Sequence, residues 1–139
     1  MSDSKKNMKR IKEEYRSNKT DFIVMPANTN YMDIIFGGFF MAELDKAAAT
    51  VVNRAVRRSE TADKAVTFKF NVEFSKPSYA GDIITIESRI ISVGRKSIVV
   101  KQRAFKETRT DPTRTLVAVT EVVFVTMNGT HYVNHQLEL

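Results

Sequence analysis

Residues 37–58 read GGFFMAELDKAAATVVNRAVRR, and this stretch decides the architecture. Met41, Ala42, Leu44, Ala47, Ala48, Ala49 and Ala55 favour helix, no proline interrupts them, and a Gly pair marks the start. The segment therefore predicts one long helix. Phe39, Phe40, Met41, Leu44, Ala48, Val51, Val52 and Ala55 spread around most of its circumference, the pattern of a helix enclosed by protein rather than resting on a surface.

On either side of this helix the pattern changes. After Lys64 the period becomes two: Phe68, Phe70, Val72 and Phe74 alternate with Lys69, Asn71, Glu73 and Ser75, which predicts a strand with four bulky side chains on one face. Further strands are expected at 82–93, 97–106 and 115–127. They are separated by Lys76-Pro77 with Gly81, by Val93-Gly94-Arg95-Lys96 and by Thr110-Asp111-Pro112, and Asn128-Gly129 opens a last hairpin. Ahead of the helix, 21–25 reads as a short strand stopped by Pro26, and Ala27-Asn28-Thr29-Asn30 has turn composition. Hairpin-length connections imply an antiparallel sheet. The expected fold class is α+β, about five antiparallel strands wrapped around one long central helix.

The 139 residues, 42% hydrophobic and 27% charged, suit one globular core, expected to occupy residues 21–139 as a single domain. The absence of cysteine excludes disulfides, thiol nucleophiles and thiolate metal sites, and fits a reducing compartment such as the cytoplasm. Only His131 and His135 are available, both near the C-terminus, and no G-x-S-x-G run occurs. A Ser-His-Asp triad or a histidine-rich metal centre is not expected, nor is any cofactor. Hydrolytic chemistry has to run on carboxylates, amides and backbone groups.

The net charge of +6 is uneven, because residues 1–20 carry seven bases against three acids. This stretch lacks interleaved aromatics beyond Tyr15 and a sustained apolar face. It reads as a basic N-terminal arm, helical or flexible and solvated, rather than a nucleic-acid or membrane-binding tail. No apolar leader follows Met1, and the most apolar stretch, 34–56, is cut by Glu43, Asp45, Lys46, Asn53 and Arg54, so no membrane span is expected.

Within the helix, Asp45 stands out. Its neighbours at three and four residues are Met41, Ala42, Ala48 and Ala49, so no base on its own helix can pair with it, whereas Glu43 has Lys46 at i+3. Burying an unpaired carboxylate is costly. Either a base from another strand or solvent satisfies it, or the charge serves catalysis. Gly37 and Gly38 open the helix where free N–H groups can hold a developing oxyanion, and Asn30 offers an amide to a water or carbonyl. Each of these has a plain reading as a helix start or a turn former.

In order, Pro26-Ala27-Asn28-Thr29-Asn30, Ile35-Phe36-Gly37-Gly38 and Met41 to Ala49 with Leu44-Asp45 resemble the signature of hotdog-fold acyl-CoA thioesterases, in particular the small bacterial YciA type. Phe74-Ser75-Lys76-Pro77 with Gly81-Asp82, Val93-Gly94-Arg95-Lys96-Ser97 and Val119-Thr120-Glu121-Val122-Val123-Phe124 extend the resemblance over residues 22–127. It implies hydrolysis of acyl-CoA to free CoA and a carboxylic acid. Asp45 matches the general base or nucleophile, Gly37 the N–H that polarises the thioester carbonyl, and Asn30 the amide that orients water or substrate. Phe36 stands where PaaI-type relatives carry histidine and, with Gly38, borders the substrate. Gly94, Arg95, Lys96 and Ser97 match contacts for the nucleotide and phosphates of coenzyme A, with Lys76 a weaker match. The resemblance also implies a homodimer whose Asn30 and Asp45 come from different subunits, and a trimer of such dimers.

Three positions depart from the family pattern: Lys96 replaces a small residue, Asn28 replaces the acid of an Asp-x-Asn element, and Asn128-Gly129 arrives early. The alternative reading is a non-catalytic acyl-CoA binding or sensing module. A hotdog dehydratase would need a histidine near the substrate carbon, and His131 and His135 do not match one.

Overall fold

The structure, a computed structural model, describes residues 8–139, so the first seven residues of the expected arm lie outside the described residues. Its elements are β1 (Lys9–Arg10), β2 (Ser17–Ile23), α1 (Gly37–Val56), β3 (Lys64–Phe74), β4 (Ile83–Val93), β5 (Ser97–Glu107), β6 (Thr115–Asn128), β7 (His131–Tyr132) and β8 (Leu137–Glu138). Short 3-10 turns lie at Glu13–Tyr15 and Pro26–Asn28. The main sheet runs β2-β4-β5-β6-β3 with every pairing antiparallel, and β7 adds to β6. One long helix lies in this curled antiparallel sheet, which is the hotdog arrangement.

The helix packs one stripe onto the sheet. Phe40, Leu44, Ala47, Ala48, Val51, Val52, Ala55 and Val56 are buried, the spacing of a single helical face. Its first half meets Ile84, Ile86, Ala104 and Ala118, and its second half meets Ile98, Val100, Val122 and Phe124. The expectation of an enclosed helix holds on the sheet side only: Met41 and Ala42 are exposed in the single chain. The N-terminal end of α1 lies near the Phe74–Ala118 pair and its C-terminal end near the Ser97–Val125 pair. Those two pairs are about 23 Å apart at the usual rise of a strand.

Two further expectations change. The alternation of Phe68, Phe70, Val72 and Phe74 is broken by a bulge between Thr67 and Lys69, where the register against β6 slips, and Phe68 is left 69% exposed. β3 is one edge of the sheet, and β2 is the other. Residues 9–20 form no α-helix, only the 3-10 turn at Glu13–Tyr15, and they are not a loose arm. Lys9–Arg10 pair in parallel with Leu137–Glu138, and Ser17–Thr20 already belong to β2, opposite Ile86–Arg89. Apolar anchors cause the difference: Ile11 is 2% exposed in the core, and the Arg58 guanidinium lies 3.5 Å from the centroid of the Tyr15 ring. Among the described residues no helix is long and apolar enough to cross a membrane.

Candidate active site

Asp45 projects from α1 toward β3, where the Thr67 hydroxyl donates to Oδ1 at 2.7 Å. The residue is half-buried, and among the described residues no cation pairs with it, while Glu43 is held by Lys46 at 3.2 Å. A hydroxyl therefore takes the place of the base that another strand could have supplied. It orients one carboxylate oxygen without neutralising the charge and leaves Oδ2 without a hydrogen bond among the described residues. The sequence reading missed Thr67. The only available signal was a hydroxyl at the start of the alternating strand, and its partner emerges only from how β3 crosses the helix.

The start of α1 carries free donors. Phe36 is the cap with extended backbone, no side chain bonds to the first turn, and no acid occurs there. The Phe36 carbonyl accepts from Phe40 N–H at 3.0 Å, so the N–H groups of Gly37, Gly38 and Phe39 precede the first intrahelical bond. The two glycines have different causes. A Cβ at Gly38 would stand 2.7 Å from the Phe36 ring, whereas one at Gly37 would meet nothing within 4 Å. Packing inside this chain thus explains Gly38 and leaves Gly37 open to an approaching group. Gly37 lines a recess of about 270 Å³ with apolar walls of Ile34, Ile35, Phe40 and Phe74, and Lys76 borders it.

Asn30 is half committed. Its Oδ1 accepts from the N–H groups of Met32 at 2.8 Å and Ile34 at 3.2 Å, an Asx turn that shapes the loop into the helix. Its Nδ2 has no hydrogen bond among the described residues, so the group left to a ligand is a donor. Asn28, where the family pattern has an acid, accepts from Met25 N–H at 2.9 Å, and its carbonyl holds Phe36 N–H at 2.7 Å.

The hairpin joining β4 and β5 holds Gly94, Arg95, Lys96 and Ser97. Gly94 N–H donates to Ser97 O at 2.9 Å and Thr126 N–H to Lys96 O at 2.9 Å, while Arg95 and Lys96 are exposed and unpaired among the described residues. Gly94 has a negative φ, so its backbone does not call for glycine; a Cβ there would meet Ser97 Oγ, a hydroxyl that would have to rotate away. Beneath the hairpin lies His135, 1% exposed, and burial pushes its imidazole below the usual histidine range.

One chain does not unite these groups. Asn30, Phe36, Gly37, Gly38 and Lys76 gather around the N-terminal end of α1, and the hairpin sits at the other end of the sheet. Asp45 is eight residues along α1 from Gly37, about 12 Å of helix rise. A single carbonyl cannot touch both within one chain.

Comparison with known proteins identifies the fold and the superfamily. A protein of Haemophilus influenzae, named as an acyl-CoA thioester hydrolase and itself uncharacterised, is 29% identical over 103 residues, covering 73% of this chain. The chain spans 64% of the length of that relative. Among solved structures, an acyl-CoA hydrolase from Staphylococcus aureus in complex with butyryl coenzyme A, coenzyme A and coenzyme A disulfide superposes with a TM-score of 0.77 at 25% identity, covering 92% of this chain and 74% of that one. A hexameric thioesterase from Yersinia pestis shares the fold, with a TM-score of 0.73 at 22% identity over 84% of this chain and 91% of that one. The thioesterase superfamily model matches residues 32–113, a span from the loop before α1 to the connection after β5 and more than half of the sequence, and the chain belongs to that superfamily.

Proposed function

We propose that this protein hydrolyses the thioester of acyl-coenzyme A, with water as acceptor, to free CoA and a carboxylic acid. The observation that carries the reading is Asp45: a helix carboxylate without a cationic partner, oriented by the Thr67 hydroxyl, with one oxygen left over. Such a group serves as general base toward water or as nucleophile toward the thioester carbon. Gly37 N–H, at the positive end of α1 and open to close approach, receives the oxygen that gains charge in the tetrahedral intermediate. Asn30 Nδ2 donates to the carbonyl or the water. Collapse of the intermediate breaks the carbon–sulfur bond and releases the CoA thiolate, which takes up a proton. Arg95, Lys96 and Ser97 hold the phosphates and nucleotide of CoA, a role suited to two unpaired cations and a hydroxyl. Phe36 and Gly38 border the acyl-pantetheine path.

The 12 Å between Gly37 and Asp45 makes the site a shared one on this reading. β3 is a free edge flanked by exposed Met41, Val66, Phe68 and Phe74, a surface suited to two-fold pairing with a second copy. Antiparallel pairing of two β3 edges lays the Gly37 end of one helix beside the later turns of the other. Each dimer then carries two sites, with Asn30 and Gly37 from one chain and Asp45 from its partner. Three dimers make the hexamer, the assembly of the Yersinia neighbour.

Steady-state hydrolysis across an acyl-CoA chain-length series tests the proposal. Wild type releases free thiol, and Asp45→Asn lowers kcat by about two orders of magnitude or more while calorimetric binding of CoA persists. A variant that turns over at the wild-type rate overturns the role of Asp45. No thiol release by wild type on any chain length overturns the activity.

A further inference from the structure

We propose that His135 is a positioning residue for the hairpin at 94–97: as a neutral imidazole it ties the C-terminal tail to that hairpin, and uptake of a proton breaks the tie and weakens the hold on coenzyme A. The inference rests on the reading that Arg95, Lys96 and Ser97 contact CoA. The geometry fixes the tautomer. Leu137 N–H donates to Nδ1 at 2.9 Å, so Nδ1 carries no proton, and Nε2–H donates to Ser97 O at 3.0 Å. The His135 main-chain N–H donates to Arg95 O at 3.1 Å. One residue thus holds two carbonyls of the hairpin.

The tail that carries His135 is itself anchored. Its carbonyl accepts from Ser59 Oγ at 2.8 Å, Leu137 is 1% exposed in the core, and Lys9 N–H donates to Gln136 O at 2.8 Å. Arg95 and Lys96, by contrast, have exposed side chains and no ion pair among the described residues. The hairpin's placement therefore depends on its backbone ties, and His135 makes those that reach the tail.

Protonation at Nδ1 would set two donors, the imidazolium and Leu137 N–H, against each other in a site closed to water. The charged groups on the elements around it are Arg95 and Lys96 of the hairpin, Lys9 and Arg10 of β1, Glu60 beyond the helix, which pairs with Lys9 at 2.9 Å, and Glu138 of β8. None hydrogen-bonds to the imidazole among the described residues, so no carboxylate steadies the charged form. Burial lowers the folded pKa below 6.5, and the carbonyls of Ser97 and Gly94 oppose this without reversing it. The sign follows: the unfolded chain binds the proton first as pH falls. The tie is complete above about pH 6.5 and is lost as pH drops through the lowered folded value.

Two substitutions separate the contacts. His135→Asn keeps an acceptor near Nδ1 but cannot reach Ser97 O, whereas the longer amide of His135→Gln can donate there and does not titrate. Amide exchange at Gly94 and Thr126, which bond to the hairpin carbonyls, reads the tie without substrate. KM and kcat for acyl-CoA between about pH 5 and 7.5 read its consequence. His135→Asn is expected to speed exchange and to raise KM about fivefold, the worth of one ordinary hydrogen bond, with kcat nearly unchanged. His135→Gln is expected to restore both, and its KM should rise less than that of wild type below about pH 6.5; the CoA phosphate titrates equally in each and cancels.

Unchanged exchange in His135→Asn, or superimposable pH profiles of wild type and His135→Gln, overturns the proposal. Arg95→Ala distinguishes that failure from failure of the underlying reading. If Arg95→Ala raises KM and His135→Asn does not, only the positioning role falls. If neither changes KM, the placement of CoA falls with it.

Discussion

A carboxylate that accepts one hydroxyl hydrogen bond and makes no ion pair gains a direction without a counter-ion. That is the state of Asp45, whose Oδ1 is held at 2.7 Å by Thr67. Thr67→Val keeps the shape and the β-branched preference of the strand while removing the donor. The expected result is a fall in kcat of about tenfold with KM and melting temperature little altered, since the loss is one partly exposed hydrogen bond. Measured kinetics and thermal unfolding of the purified variant check it, and an unaltered kcat would remove Thr67 from the site. At this scale Asp45 was legible because its i±3 and i±4 neighbours are uncharged. Thr67 was not, since a helix-to-strand contact 22 residues apart leaves no local spacing to read. Gly94 was legible as a hairpin residue, but the close neighbour that a Cβ would meet there, Ser97 Oγ, depends on side-chain packing.

The long helix begins where the Gly pair marks it and ends at Val56, two residues short of Arg58. Its formers and its lack of proline act locally, so they read directly from sequence. The strand β3 read less well because a bulge is a relation between two strands, and alternation within one of them cannot show that Phe68 has no partner. In residues 8–20 the charge pattern hides the weight of Ile11 and Tyr15, two side chains that dock this part of the chain on the core. The helix start also carries a test. Gly37→Ala adds a methyl group that meets nothing within the chain, and alanine is the better helix former, so folding stability should hold or rise by about 0.5 kcal/mol. If substrate must come close to this backbone, kcat should nonetheless drop. Chemical denaturation and turnover on the same preparation decide it, and loss of both together would mean that the methyl group disturbs assembly instead.

For the molecule as a whole, the proposed shared site, which rests on the separation of Gly37 from Asp45 along one helix, makes a prediction about the stoichiometry of activity. Asn30→Ala and Asp45→Asn chains, each inactive alone, should recover on mixing and subunit exchange. Random pairing gives half mixed dimers, each with one intact and one doubly damaged site, so about a quarter of wild-type activity is the expected ceiling. No recovery after exchange verified by mass spectrometry would place each site within one chain. The fold class was legible in the hairpin-length connections, but the strand order was not, because β3 pairs with β6 and β2 with β4, partners far apart in sequence. The meeting of β1 with β8 was not legible either, because two-residue strands are too short to show a period. In that meeting, Lys9 stands opposite Leu137 and Arg10 opposite Glu138. A chain nicked within the exposed 109–114 loop, which holds none of the candidate site residues, would therefore stay clasped at a second place: the β1–β8 pair ties the fragment that carries the helix to the fragment that carries β6.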